Sequence, residues 1–125
     1  MNRSRRTLGH VTVMDGTSNT LMFGETLGGT GIGGRNHAHT WMGSGAMPTG
    51  WGLGRGNQDV LNGGADWFRF SSRHPGGVQF CFGDGSVRLV HFGTTTEFFS
   101  DDWKVLAQLS GVNDGQAAST EGLLD

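Results

Sequence analysis

Alternating apolar and polar positions predict one β-hairpin in the second half of the chain. The segment VQFCFGDGSVRLVHF, Val78–Phe92, contains two alternating runs on either side of Asp84-Gly85. Because Asp-Gly is a preferred pair for a two-residue type I′ turn, the pattern predicts a hairpin with these residues at its tip. That register pairs residue 82 with 87 and residue 80 with 89. The predicted core face is Phe80, Phe82, Val87 and Leu89, and the opposite face is Gln79, Cys81, Arg88 and Val90.

The first part of the chain predicts a strand, a turn and a second strand. Residues His10–Glu25 begin with alternating apolar positions, break at Asp15-Gly16 and end in an apolar run through Phe23. Polar side chains that can bond nearby backbone amides follow this break. They favour a capped turn or a single helical turn at Thr17–Thr20.

One short helix is predicted near the C-terminus. Ser100 can cap it, Asp101 and Asp102 supply an acidic first turn, and Gly111 ends it. The periodicity predicts that its buried side consists of Trp103, Leu106, Ala107 and Leu109.

Glycine-rich segments connect these elements. Glycine accounts for 24 of the 125 residues, and its concentration in 28–34 and 43–64 predicts long loops around the short piece Ala38–Met42. One further strand is expected at Asp66–Phe70, with Trp67 or Phe68 facing inward.

The predicted fold is α+β and β-rich, with a small antiparallel sheet, long glycine-rich loops and a short C-terminal helix. The chain is long enough for one domain, which we expect over 10–112. A basic arm (1–9) precedes it and a polar tail (113–125) follows it. The apolar content of 34% predicts a small core that depends on its phenylalanine and tryptophan side chains.

Charge and cysteine content exclude several classes of protein. The formal net charge of −2 provides no electrostatic footprint for a nucleic acid, so no nucleic-acid partner is expected. A single cysteine, Cys81, excludes an internal disulfide framework and a thiolate zinc cluster. No segment has the apolar length of a membrane-spanning helix or a signal peptide, so this segment itself is expected to make no membrane contact. Any export signal would lie outside it.

Three segments, in order, carry a family resemblance. DGTSNTLMFGE stands at Asp15–Glu25, His74 is followed by nine residues and then Asp84-Gly85, and LAQLSGVNDG closes the series at Leu106–Gly115. The chain resembles the large family of uncharacterised prepilin-like proteins known for a C-terminal signature of His, nine residues and Asp-Gly. The motif positions are Asp15, Gly16, Ser18, Asn19, Glu25, His74, Pro75, Gly76, Gly77, Asp84, Gly85 and Ser86.

The resemblance implies a pseudopilin-like head in the extracellular space or cell envelope. A typical member of that family begins with a cleavage and methylation signal and a long apolar helix of the type IV pilin kind. That helix is missing from this chain, so the resemblance implies that its partners, other pilin-like or secretion-system subunits, bind through a segment that precedes it.

His74 has a structural and a functional interpretation. Its turn, SSRHPGG, leads into the predicted hairpin, which favours a structural hydrogen bond from the imidazole to the strand start or the Asp84 backbone. The alternative is a metal site that combines His74 with Asp84 or Glu25. His37 and His39, two residues apart, form a weaker candidate metal pair without a third ligand.

No catalytic constellation is evident, and neither an enzyme nor a cofactor is expected. The segment Gly43-Ser44-Gly45 lacks the spacing of a nucleophile elbow, and Cys81 lies mid-strand without an obvious histidine partner. The first hypothesis is therefore a non-enzymatic structural module, the head of a cell-surface fibre or type II secretion-like apparatus. The alternative is an extracellular solute- or glycan-binding module in which Trp41, Trp51 and Trp67 line a cleft.

Overall fold

The computed structural model describes residues 7, 9, 12, 16–27, 48–56, 68–111 and 122–124. In chain order, the elements of this part are a 3₁₀ helix (Thr17–Asn19), β1 (Leu21–Gly24), β2 (Leu53–Arg55), β3 (Phe70–Ser72), β4 (Gly77–Phe82), β5 (Val87–His91) and α1 (Asp101–Ser110).

A three-stranded antiparallel sheet is built around β4. β1 pairs with one edge of β4 and β5 with the other. The β1 ladder shifts between Leu21, which pairs with Phe82, and Phe23, which pairs with Cys81. Met22 is therefore an extra residue of a β-bulge, and Leu21 and Phe23 lie on opposite faces of the sheet. The antiparallel sheet and the short helix of the predicted fold are confirmed.

The hairpin is confirmed, but its predicted register is wrong. Cys81 pairs with Val87, Phe80 with Arg88 and Val78 with Val90. The Phe82 N–H donates to Ser86 O at 2.9 Å and the Gly85 N–H donates to Phe82 O at 3.0 Å. The loop therefore has three residues, Gly83 to Gly85, and only Gly85 has a positive φ, 83°.

The corrected register reverses the faces of β5. A shift of one residue in pairing moves every side chain of a strand to the opposite face. Val90 is fully buried with Val78, Phe80 and Phe82, whereas Val87 is 63% exposed. Val87 and Leu89 therefore do not belong to the core face, and Arg88 and Val90 do.

A second, parallel pair of strands, β2 and β3, lies beside the main sheet. The chain after β1 joins the two sheets, because Ser71 N–H donates to Glu25 O at 3.1 Å and Glu25 N–H donates to Gln79 O at 3.3 Å. β2 lies inside a segment predicted to be loop. The strand expected at Asp66–Phe70 is instead β3, which begins at Phe70.

The predicted helix is confirmed as α1. Ser100 caps it by accepting a hydrogen bond from Trp103 N–H on its hydroxyl, and the acidic first turn is present. Leu106 and Leu109 are buried, whereas Trp103 and Ala107 are only partly buried. Asp102 has a second role, because its carboxylate accepts hydrogen bonds from the Thr94 N–H at 2.8 Å and hydroxyl at 3.0 Å.

The core lies between the inner face of the main sheet, α1 and β2. Its buried apolar members are Leu53, Val78, Phe80, Phe82, Val90, Phe92, Leu106, Leu109 and Leu123. Leu123 comes from the segment predicted to be a polar tail. Leu124 forms an antiparallel bridge with Val90, and His91 N–H donates to Leu123 O at 2.8 Å. The assignment of these two leucines to a tail is therefore wrong.

The N-terminal predictions have mixed outcomes. A single helical turn and a strand follow Gly16, as predicted. Thr12 is helical, so the strand predicted from His10 is wrong at that residue. Residues 1–6 and 8 of the basic arm (1–9), the piece Ala38–Met42 and most of the glycine-rich loops lie outside the described residues.

Candidate functional site

The two motif segments meet at the hairpin tip. The backbone N–H of Asp84 donates to Thr17 O at 3.0 Å, and that of Gly83 donates to Thr20 O at 2.9 Å. The Arg88 guanidinium, from β5, donates to Ser18 O. The 3₁₀ helix and the hairpin loop therefore form one hydrogen-bonded unit, although about 60 residues separate them in sequence.

The Asp84 carboxylate is engaged within its own loop. Its Oδ1 accepts hydrogen bonds from Ser86 N–H at 2.8 Å and from Ser86 hydroxyl at 2.6 Å. The hydroxyl and then the N–H of Ser86 lower the pKa of Asp84, with a smaller contribution from Arg88, whose Nη2 lies 3.8 Å from Oδ2. An aspartate held ionised in this way stabilises the turn and is a poor general base.

His74 and Glu25 come together at the opposite end of β4. His74 Nε2 lies 3.5 Å from Glu25 Oε1, and the two side chains are 48% and 37% exposed. The same carboxylate oxygen accepts a hydrogen bond from Gln79 N–H at 2.9 Å. The pair is therefore anchored to β4 through Glu25 and open to solvent through both side chains.

Of the two metal-binding pairs considered as alternatives, the structure brings His74 close to Glu25 but not to Asp84. His74 precedes β4 and Asp84 follows it, so this six-residue strand holds them apart by roughly 20 Å. Within the described ranges, no group of three or more His, Cys, Asp or Glu side chains is placed to hold a metal ion. His37 and His39 lie outside those ranges.

The turn that carries His74 is organised by Ser72, which the sequence analysis did not single out. Ser72 is 1% exposed, and its hydroxyl donates to Gly77 O at 2.5 Å and accepts from His74 N–H at 3.0 Å. The turn also docks on β5, because Phe92 N–H donates to Gly76 O at 3.1 Å. Pro75 lies within this turn. The serine directly before RHPGG was the available signal, but its burial cannot be inferred from that pattern alone.

The remaining motif positions lie in the same two regions. Gly16 has a φ of 83° and its carbonyl accepts from Asn19 N–H at 3.2 Å and from the Thr20 hydroxyl at 3.0 Å. Gly77 begins β4 directly against β5, where an added Cβ would lie 2.1 Å from Val90 O. Asp15 lies outside the described residues.

The outer face of the main sheet carries apolar side chains on all three of its strands. Phe23 of β1, Cys81 of β4 and Val87 of β5 are direct cross-strand neighbours on this face. Phe23 is 66% and Val87 63% exposed, and Cys81 is a half-buried free thiol. We call these three residues, with Gln79 and Leu89, the outer sheet face.

A second exposed surface consists of aromatic rings near the start of α1. Its members, which we call the aromatic platform, are Trp51, Phe68, Phe98, Phe99 and Trp103. Of the three tryptophans predicted to line a cleft, Trp51 belongs to this platform, and Trp41 and Trp67 lie outside the described residues.

Comparison with known proteins gives one match. The family model SBP_bac_10, described as a protein of unknown function (DUF1559), matches residues 1–95. The chain belongs to the DUF1559 family. Neither a curated protein nor a solved structure matches it.

The match covers the first two of the three segments that carry the resemblance in this DUF1559 chain. It stops before α1 and does not include the third segment, Leu106–Gly115. The 3₁₀ helix, the hairpin loop and the His74 turn therefore all lie within the family region. The cap of α1 and the Leu123 contact lie beyond it. In the described part of the chain, no helix has the length and apolar character needed to span a membrane.

Proposed function

We propose that this DUF1559 chain is a non-enzymatic structural module, the globular head of a pilin- or pseudopilin-like subunit in a cell-surface fibre or a type II secretion-like apparatus. The observation that carries the proposal is the apolar outer sheet face. The prepilin-like resemblance of the two motif segments supplies its proposed occupant, an apolar helix of the type IV pilin kind.

The two faces of the main sheet support this arrangement. The inner face packs into the core, with Val78, Phe80 and Phe82 each no more than 1% exposed. The outer face of a sheet in water normally carries polar side chains, but here it presents Phe23 and Val87. An apolar face that crosses three adjacent strands suits an apolar helix laid against it.

The motif residues support a structural role rather than catalysis. Asp84 is bound by Ser86, and Glu25 accepts from the β4 backbone, so each carboxylate stabilises a backbone junction. Cys81 lies mid-strand, and its thiol is 3.5 Å from the Phe82 carbonyl. The proposal also places this protein in the extracellular space or the cell envelope.

Site-specific photo-crosslinking tests whether an apolar helix packs on the outer sheet face. The full gene product would be produced in its native host with a photo-reactive phenylalanine at position 23 or 87, and at the exposed position of Arg73 as a matched control. We expect the protein in the sheared surface fraction, with crosslinks from positions 23 and 87 to an apolar helix of the same or a neighbouring subunit. Position 73 should give no crosslink to that helix. A product confined to the cytoplasm, or one whose outer sheet face crosslinks no helix, would contradict the proposal.

A further inference from the structure

The aromatic platform is built rigidly. Trp103 indole Nε1–H donates to Gly50 O at 2.8 Å, which ties α1 to the turn that carries Trp51. That turn is closed by Gly52 N–H, which donates to Thr49 O at 2.9 Å. The Trp103 indole is therefore fixed by a hydrogen bond, and Trp51 lies on a closed turn, so little ordering of this backbone is left for a ligand to impose.

Several rings of the aromatic platform are exposed to solvent and therefore contribute little to the folded core. Trp51 is 49%, Phe98 57% and Phe99 74% exposed. Phe99 also has a φ of 68°, and it is the one non-glycine residue with a positive φ among those the structure describes. This conformation is unfavourable for a residue with a side chain, and Phe99 offsets little of that cost by burial. Strain of this kind is typical of surfaces that bind a partner.

The ring geometry defines a platform rather than a cage. The centroid distances are 5.7 Å from Trp51 to Phe68, 5.9 Å from Trp51 to Phe98 and 6.1 Å from Phe98 to Trp103, all with edge-on geometry. Rings at this spacing contact each other directly. Rings in contact leave no room for a group between them, and neighbouring rings are inclined by 64–74°. A ligand would therefore stack on individual exposed ring faces rather than on one flat surface.

Charge narrows the class of ligand further. Glu97 and Asp101, which flank the Phe98-Phe99 pair in the chain, are exposed. Two cations balance them, because Lys104 Nζ lies 3.3 Å from Asp101 Oδ1 and Arg69 Cζ lies 5.2 Å from the Phe68 ring centroid. A surface with balanced charges attracts neither polyanions nor polycations strongly, which favours an uncharged ligand. Its exposed carboxylates can accept hydrogen bonds from hydroxyl groups.

A ligand that matches all three properties has broad apolar faces and a rim of hydroxyl groups. Pyranose rings have this structure, because their axial C–H groups stack on aromatic faces while their equatorial hydroxyls point outward. We propose that the aromatic platform binds the sugar rings of a neutral polysaccharide. This site shares no residue with the outer sheet face, so the sugar-binding proposal can be tested independently of the proposed assembly role.

Tryptophan fluorescence and calorimetry with cellohexaose, xylohexaose, laminarihexaose and chitohexaose test the proposal on the 125-residue chain. We expect at least one of them to bind with a Kd of about 1 mM or tighter. The variants Phe99→Gly and Trp51→Ala should each weaken that binding by about tenfold, as expected for central aromatic contacts. Phe23→Ser, on the outer sheet face, is the matched control and should bind with unchanged affinity.

Phe99→Gly separates binding from folding, because glycine keeps the positive φ and relieves its strain. Its melting temperature should equal or exceed that of the unchanged protein while its sugar affinity falls. The proposal is overturned if none of the four hexasaccharides binds, or if Phe23→Ser weakens binding as much as Phe99→Gly. Tighter binding to heparin, or association with phosphatidylcholine vesicles without sugar binding, would assign the platform to another partner and overturn it equally.

Discussion

The Ser72 hydroxyl donates a 2.5 Å hydrogen bond to the Gly77 carbonyl, so a fully buried serine closes the turn that carries His74. Replacing it with alanine would leave that carbonyl and the His74 N–H without their partner. Because unsatisfied buried polar groups are costly, we expect Ser72→Ala to lower the free energy of unfolding by about 1–3 kcal/mol. Urea denaturation followed by circular dichroism measures this difference.

The control for this prediction is Ser110→Ala at the exposed end of α1. The Ser110 hydroxyl donates to Ala107 O at 2.8 Å and accepts from the Thr49 hydroxyl at 2.8 Å, but both bonds are exposed and water can replace them. A loss in Ser72→Ala no larger than that in Ser110→Ala would show that the turn holds without the serine.

His74 itself should matter much less to stability than the serine beneath it. Its side chain is 48% exposed, and its interaction with Glu25 spans 3.5 Å. Exposed pairs of this kind contribute about 0–1 kcal/mol, so His74→Ala should be nearly neutral at low salt and fully neutral at high salt. Thermal melts in both conditions test this. A larger loss than in Ser72→Ala would mean that the imidazole, not the hydroxyl, organises the turn.

The position of the hairpin can be predicted from nearby residues, but its loop length and register cannot. Alternation and Asp84-Gly85 locate the hairpin, but the preceding Gly83 permits a three-residue loop as readily as a two-residue one. The choice is made by contacts from far along the chain, since Thr17 and Thr20 accept hydrogen bonds from Asp84 and Gly83. A pattern confined to Val78–Phe92 contains no information about those acceptors, so the register and the β5 faces were predicted wrongly.

Gly85 provides a direct test of the three-residue loop. Its φ is 83°, and an added Cβ would meet no atom within 4 Å, so backbone strain is the only penalty. We expect Gly85→Val to destabilise by about 1–2 kcal/mol. Gly85→Asn should cost less, because asparagine tolerates the left-handed region. Equal losses in chemical denaturation for the two variants would contradict this explanation.

Other differences between prediction and structure come from elements too short to carry a pattern. β2 has three residues, including Gly54, and forms only because it pairs with β3 and buries Leu53. The packing of Trp103 has a different cause. Helical periodicity predicts it on the buried side of α1, but its indole donates to Gly50 O and is only partly buried. Periodicity located the helix, and long-range contacts determined where Trp103 packs.

The lowered pKa of Asp84 implies that the free energy of unfolding depends on pH in the acid range. The hydrogen bonds from Ser86 lower the pKa of Asp84 below its ordinary 3.8 in the folded protein. A depressed folded pKa stabilises the fold above 3.8, and this contribution is lost as the pH falls below 3.8 through the lower folded pKa. In Asp84→Asn that contribution is absent, so its stability should converge with that of the unchanged protein in strong acid. Denaturation curves of both proteins, measured from above pH 3.8 to strong acid, test this convergence. A stability difference that stays constant with pH would contradict the prediction.

Arg88 connects the hairpin to the first motif segment, and its guanidinium geometry is essential to that connection. Its Cζ lies 4.0 Å from the Phe82 ring centroid, Nε donates to Ser86 hydroxyl at 3.2 Å, and Nη2 donates to Ser18 O. A lysine ammonium is a point charge that cannot stack flat on the ring and bridge both oxygens together. We therefore expect Arg88→Lys to destabilise by about 1 kcal/mol, most of it from the stacking contact.

The matched control is Arg73→Lys, since Arg73 is exposed and the substitution again preserves charge. Hydrogen exchange gives the sharper measurement, because the amides of Gly83 and Asp84 donate across the junction to Thr20 and Thr17. In Arg88→Lys these two amides should exchange faster, whereas the β4 amide of Val78, at the far end of the strand, should change only with global stability. If all three amides accelerate by the same factor, Arg88 contributes to the whole fold rather than to this junction, and the connection between the two motif segments must depend on the backbone hydrogen bonds alone.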